Sequence, residues 1–194
     1  MKRHAMDRIL LGIVLFLVAG GFLIFSSASL GLIARDGAQF SSVAFSQFTY
    51  GIVGGLIALT VMSGVHYRFW RQYAFYIFII TLFITALVFL PGVGVEINGA
   101  KRWLDIGPIR FQPAELLKIG FIVYLATWLS GMQKHIGTFT KGTLPFVGFV
   151  GLVGIVMLLQ PDTDTYAVMI AASIAMFLTA GGKFRDVGLM IVAG

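Results

Sequence analysis

Residues 73–91, YAFYIFIITLFITALVFLP, carry no charged side chain, and residues 96–118, EINGAKRWLDIGPIRFQPAELLK, follow after four residues. The first stretch has the length of a transmembrane helix, which needs about 20 predominantly apolar residues. The second holds Glu96, Lys101, Arg102, Asp105, Arg110, Glu115 and Lys118, and a new apolar run starts within it at Ala114. Hydrocarbon interrupted by one dense polar insert predicts an all-α fold, a polytopic integral-membrane helical bundle. Charge beside a bilayer is costly, so the insert is also the first candidate for a functional site.

Composition agrees with that medium. Hydrophobic residues make up 58% of the chain and charged residues 11%, with a mean hydropathy of +0.94. A soluble domain has about a quarter of its residues charged. The net charge of +6 is therefore assigned to basic loops beside anionic lipid headgroups, not to nucleic-acid binding. With no cysteine, the chain has no disulfide framework and no thiolate metal site.

Working outward from the insert, apolar runs predict six complete spans, at residues 10–30, 48–65, 73–91, 114–132, Leu144–Leu159 and 166–181, and the start of a seventh near Val187. The first run is too long for a signal-peptide core and lacks an A-x-A-like cleavage site. Because the chain ends inside an apolar segment, residues 1–194 are expected to be the N-terminal part of a single, longer membrane domain. Gly148, Gly151 and Gly154, like Gly51, Gly54 and Gly55, are expected to let helices approach closely.

Lysine and arginine placement sets the orientation. With the N-terminus cytoplasmic, nine cations lie in inner segments, among them Arg8, Arg68, Arg71, Lys134, Lys183 and Arg185, against four outside: Arg35, Lys101, Arg102 and Arg110. Three of those four belong to the insert, which points to an anionic ligand there, the alternative being a short loop that tolerates a few charges.

Local chemistry sharpens the insert. Pro113 suits the first position of a helix, where a missing N–H costs nothing. Glu115 then falls in the first turn, where a carboxylate favours the helix dipole, and Lys118 follows at pair spacing. The pair is readable both as a structural pin and as part of a cavity wall. Trp103 fits an interfacial anchor as well as a surface for a lipid or sugar, and Lys101, Arg102 and Arg110 suit phosphate oxygens. A second polar site, QPDTDT at residues 160–165, places Asp162 as a secondary candidate. Its carboxylate fits helix capping, and with Asp164 it also offers oxygen ligands to a divalent cation. On the proposed topology both sites share one membrane face. The three histidines form no metal-ligand spacing, and no metal site is expected.

Residues 98–118, NGAKRWLDIGPIRFQPAELLK, together with Ser26–Ser29 and the QPD at residues 160–162, resemble the signature of the SEDS family (FtsW, RodA and SpoVE). Ala114 stands where that family usually has serine, and Thr163 and Asp164 replace its usual Leu-Gly. The EING lead-in is more similar to the cell-division branch, FtsW. The resemblance implies a peptidoglycan glycosyltransferase that polymerises lipid II at the outer face of the bacterial cytoplasmic membrane. It implies a class B penicillin-binding transpeptidase and other divisome proteins as partners. The proposed catalytic aspartate of the family would lie beyond Gly194, so no catalytic residue is assigned and this fragment alone is expected to be inactive. Arg102, Trp103, Gln112, Glu115 and Lys118 carry over as the substrate-facing set, with Lys101 and Arg110 added from charge placement. A cofactor is not identified beyond a divalent cation at the diphosphate. A lipid II flippase and a non-catalytic divisome scaffold are the alternative readings.

Overall fold

The computed structural model describes residues 8–33, 47–97, 99–106 and 109–193. The chain divides into two compact units, Met1–Val65 and His66–Gly194. In the first, helix α1 spans Arg8–Ile33, and a π-helical turn at Gln47–Val53 leads into α2 at Gly54–Gly64. Among the described residues α2 buries no side chain.

The second unit holds the remaining elements. Helix α3 (Tyr67–Ala86) ends in a 3-10 turn, Leu87–Phe89. Three short strands follow, β1 (Gly94–Ile97), β2 (Ala100–Ile106) and β3 (Ile109–Phe111). Then come α4 (Pro113–Gly131), a π-helical turn at Phe139–Thr143, α5 (Leu144–Leu159), α6 (Thr163–Thr179) and α7 (Phe184–Ala193).

The apolar runs and the helices coincide closely. Helix α3 starts earlier than the apolar run, because His66 supplies an N-cap: its Nδ1 accepts from the Arg68 backbone N–H at 3.3 Å. That cap draws Arg68 and Arg71 into the helix. Three helices, Tyr67–Phe89, Pro113–Gly131 and Phe139–Leu159, are long and apolar enough to cross a membrane, while Leu11–Ser27, Gly51–Gly64 and Thr163–Thr179 are shorter apolar helices. The fold is mostly helical, but the polar insert, expected as a loop in an all-α chain, is a three-stranded antiparallel sheet of order β1-β2-β3. Leu104, buried in β2, pairs with Gly94 on one side and Phe111 on the other, and the register shifts between Val95 and Glu96.

Helix α4 organises the core. Ala114, Leu117, Phe121, Leu125 and Leu129 form one buried stripe along it, at the three- and four-residue spacing of a single helix face. Phe78 of α3 packs there, 6.2 Å from Phe121 and stacked on Tyr124 at 5.1 Å between ring centroids. Phe146 of α5 and Phe177 of α6 lie 4.5 Å apart. Helices α3 and α4 approach closely at Gly120, where a Cβ would run into Thr81 Oγ1 and lie 3.3 Å from the Ile77 carbonyl oxygen. Of the glycine row in α5, Gly154 alone is a contact point: a Cβ there would meet the Tyr166 ring, whereas Gly148 and Gly151 have nothing within 4 Å. Small residues thus serve packing at selected positions only.

Candidate functional site: a polar ledge at one end of the second unit

The sheet joins the end of α3 to the start of α4, so it sits at one end of that helix pair. Its β1–β2 connection is an Asn98-Gly99 step, with Gly99 at φ +79°, and Asn-Gly is a favoured two-residue hairpin turn. Gly94 lies so close to the Val88 backbone that no side chain fits there. The hairpin is therefore held against the 3-10 turn, and β2 carries Arg102 toward the junction of α5 and α6.

Arg102 makes three contacts at that junction. Its Nε donates to the Gln160 carbonyl at 3.3 Å, Nη2 donates to the Pro161 carbonyl, and Nη1 stands 3.6 Å from Asp162 Oδ1. The two carbonyls close the C-terminal end of α5, where helix backbone leaves acceptors unpaired and partial negative charge accumulates. A guanidinium suits that place through its planar fork of donors. Arg102 keeps 30% of its side chain exposed, while Asp162 is only 2% exposed.

Asp162 occupies the N-cap position of α6 but makes no side-chain capping bond. Its second oxygen, Oδ2, instead accepts from Gln112 Nε2 at 2.7 Å. Gln112 is the N-cap residue of α4 and likewise leaves its own helix uncapped. Gln160, 1% exposed, donates from Nε2 to the Thr85 carbonyl at 2.9 Å, which adds the end of α3 to the same ledge. Its Oε1 is buried without a hydrogen-bond partner among the described residues.

The structure thus brings together Arg102, Gln112 and Asp162 of the residues expected at the site. It adds Gln160, whose only signal in the sequence was its place in the QPD triplet. Glu115 and Lys118 bond to each other instead, Lys118 Nζ donating to Glu115 Oε1 at 2.8 Å. The described residues enclose this pair only in part, with side chains 58% and 29% exposed respectively. Lys101 is exposed on β2 opposite Glu96, and Trp103 is half-buried opposite Val95. Arg110 pairs with Asp105 in backbone register, and its side chain lies outside the described residues.

Among the described residues, the donor set of the ledge does not fit a divalent cation. Both Asp162 oxygens face Arg102 or Gln112, and no group of three or more His, Cys, Asp or Glu side chains at metal-binding distance occurs among the described residues. What the ledge offers is a rigid polar frame, Arg102–Asp162–Gln112, with cations beside it that the frame does not consume.

Comparisons with known proteins bear on the family and the fold. Residues 7–194 match the family model FtsW/RodA/SpoVE, described as cell cycle protein. The chain is 32% identical over 197 residues to stage V sporulation protein E of Bacillus subtilis (strain 168), covering 100% of this chain and 53% of that protein. It is 33% identical over 191 residues to a probable peptidoglycan glycosyltransferase FtsW of Geobacter sp. (strain M18), covering 96% and 51%. The crystal structure of the rod shape determining protein RodA of Thermus thermophilus superposes with a TM-score of 0.71 at 28% identity, covering 100% of this chain and 60% of that one. A chain from a peptidoglycan synthase complex, solved to show the structural coordination of polymerization and crosslinking, gives 0.70 at 28% identity, covering 92% and 51%. The chain spans about half the length of the curated relatives it matches. A family match over residues 7–194 leaves one conclusion: this chain belongs to the FtsW/RodA/SpoVE family.

Proposed function

We propose that the whole protein is a peptidoglycan glycosyltransferase that polymerises lipid II at the outer face of the bacterial cytoplasmic membrane during cell division. The observation that carries this reading is the Arg102–Asp162–Gln112 frame, which fixes a cation-bearing hairpin at one end of an apolar helix group. Relatives named as probable peptidoglycan glycosyltransferases FtsW support the activity and the branch.

Chain elongation needs a base to activate a sugar hydroxyl and stabilisation of the departing diphosphate. Preorganised cations supply the second function. Lys101, Lys118 and Arg110 are proposed to face the diphosphate, with Trp103 packing on lipid or sugar. Arg102 and Gln112, engaged with Asp162, hold the wall in place, and Glu115 sets the position of Lys118. The base is assigned to the part of the protein beyond Gly194, as the family resemblance implies. No step is routed through a divalent metal ion, since the donor set described for the ledge does not fit one. With a cytoplasmic N-terminus and three spans before it, the hairpin is proposed to lie outside, the topology that gives nine inner against four outer cations. A class B penicillin-binding transpeptidase is proposed as partner. The similar complex that couples polymerization to crosslinking supports this pairing.

The test is polymerisation of labelled lipid II by the full-length protein with its transpeptidase. Glycan strands are expected. If labelled lipid crosses liposomes without polymer forming, the protein is a flippase. Partner binding with neither activity makes it a scaffold.

A further inference from the structure

A second site lies at the opposite end of the α3–α4 pair. Helix α3 has 20 residues, which places its start about 30 Å from the ledge at 1.5 Å per residue. There the start of α3 and the end of α4 enclose a groove of about 310 Å³, lined by Tyr67, Trp70 and Arg71 on one side and Ala126, Thr127 and Ser130 on the other. Its shape comes from the small residues Ala126 and Ser130, one helical turn apart.

The charge at this groove is one-sided. Arg68 and Arg71 are both exposed, and neither side chain has an ion pair among the described residues. Lys134 and His135, just past α4, are exposed as well. The sequence has no Asp or Glu between residues 37 and 95, nor between 116 and 161. Hence no carboxylate in either flanking stretch balances these cations. Tyr67 is 65% exposed, and Trp70 packs edge-on against Phe69 with ring centroids 6.0 Å apart. Thr127 Oγ1 is committed to the Val123 carbonyl at 2.9 Å, so it is not a ligand donor.

Unbalanced arginines beside tryptophan and tyrosine, at the end of a membrane-length helix, are the chemistry that recognises an anionic lipid headgroup at the bilayer interface. We infer that this groove binds one anionic phospholipid, with its phosphate on Arg68 and Arg71 and an acyl chain lying in the α3–α4 seam over Ala126. The headgroup lies level with Tyr67 and Trp70. The site is separate from the polar ledge and does not depend on the activity proposed for it.

The test titrates full-length protein in detergent with phosphatidylglycerol and, separately, with phosphatidylcholine of the same chain length, and counts bound lipids by native mass spectrometry. Phosphatidylglycerol is expected to be retained preferentially, with binding weakened about fivefold for each arginine removed in Arg68→Gln and Arg71→Gln. Arg71→Lys is expected to keep binding. Ala126→Leu, which fills the seam and leaves both charges, is expected to weaken it. Equal retention of the two lipids, or wild-type phosphatidylglycerol binding in the double glutamine variant, would overturn the site. Unchanged binding in Ala126→Leu would also overturn it, because adsorption to surface charge would then suffice. If the double variant fails to fold, Arg71→Lys and Ala126→Leu still decide the matter.

Discussion

Gln112 and Asp162, the N-cap residues of two different helices, bond to each other and not to the helices they begin: Gln112 Nε2 donates to Asp162 Oδ2 at 2.7 Å. The bond ties the start of α4 to the start of α6, and Arg102 closes the arrangement from the hairpin. One buried carboxylate thereby holds three elements in register.

Removing that carboxylate should cost stability in proportion to what is left unpaired. Asp162→Leu removes the only carboxylate beside Arg102 among its described contacts, leaving it two backbone carbonyls, and strands the Gln112 amide. Breaking a buried pair costs about 3–5 kcal/mol, and the partial exposure of Arg102 brings the expected loss to the lower end. Asp162→Asn keeps an acceptor for Gln112, so the expected loss is near 1 kcal/mol. Thermal unfolding of the purified protein measures both, and equal losses would contradict the frame.

The α3–α4 contact gives a second check. Gly120→Ala drives a methyl into Thr81 Oγ1, and overpacking of this kind costs about 1–3 kcal/mol. Thr81→Ala added to Gly120→Ala should recover part of the loss by removing the hydroxyl in the way. If Gly120→Ala alone leaves the melting temperature unchanged, the two helices are not in contact there.

The helix boundaries were legible because apolar run length and a few punctuating residues determine them. Pro113 begins α4 and Leu144–Leu159 is one helix, as the residue pattern requires. The start of α3 was not legible from hydropathy, since His66 draws polar Arg68 and Arg71 into the helix through a cap. The sheet was missed although Asn98-Gly99 is a hairpin signal, because the density of charge around it dominated the reading. For Asp162, residue type alone fits a cap or, with Asp164, an oxygen ligand to a divalent cation, whereas its partners are Arg102 and Gln112. That outcome depends on Arg102, 60 positions away, reaching the same junction, and no local pattern contains that.

Glu115 and Lys118 are expected to matter little for folding. Glu115 is exposed and Lys118 partly so, and exposed pairs contribute about 0–1 kcal/mol. Exchanging them, as Glu115→Lys with Lys118→Glu, should leave the melting temperature within the range of that small term. A collapse of the fold in the exchanged variant would return them to a structural role.

Asp164 sits exposed in the first turn of α6, outside the Arg102–Asp162–Gln112 frame. Its favourable interaction with the helix dipole is worth about 0.3–1 kcal/mol. Asp164→Asn should lower stability by no more than that and leave glycan synthesis intact. Loss of synthesis in this variant would place Asp164 in the substrate site.

The most direct test of the ledge as a substrate-facing wall is lipid II polymerisation by full-length protein carrying Lys118→Met, assayed with its transpeptidase. The expected result is a folded protein whose polymerisation rate falls about 100-fold or more, the scale of losing one preorganised charge-stabilising donor. A folded Lys118→Met protein that polymerises lipid II at the wild-type rate would contradict the account.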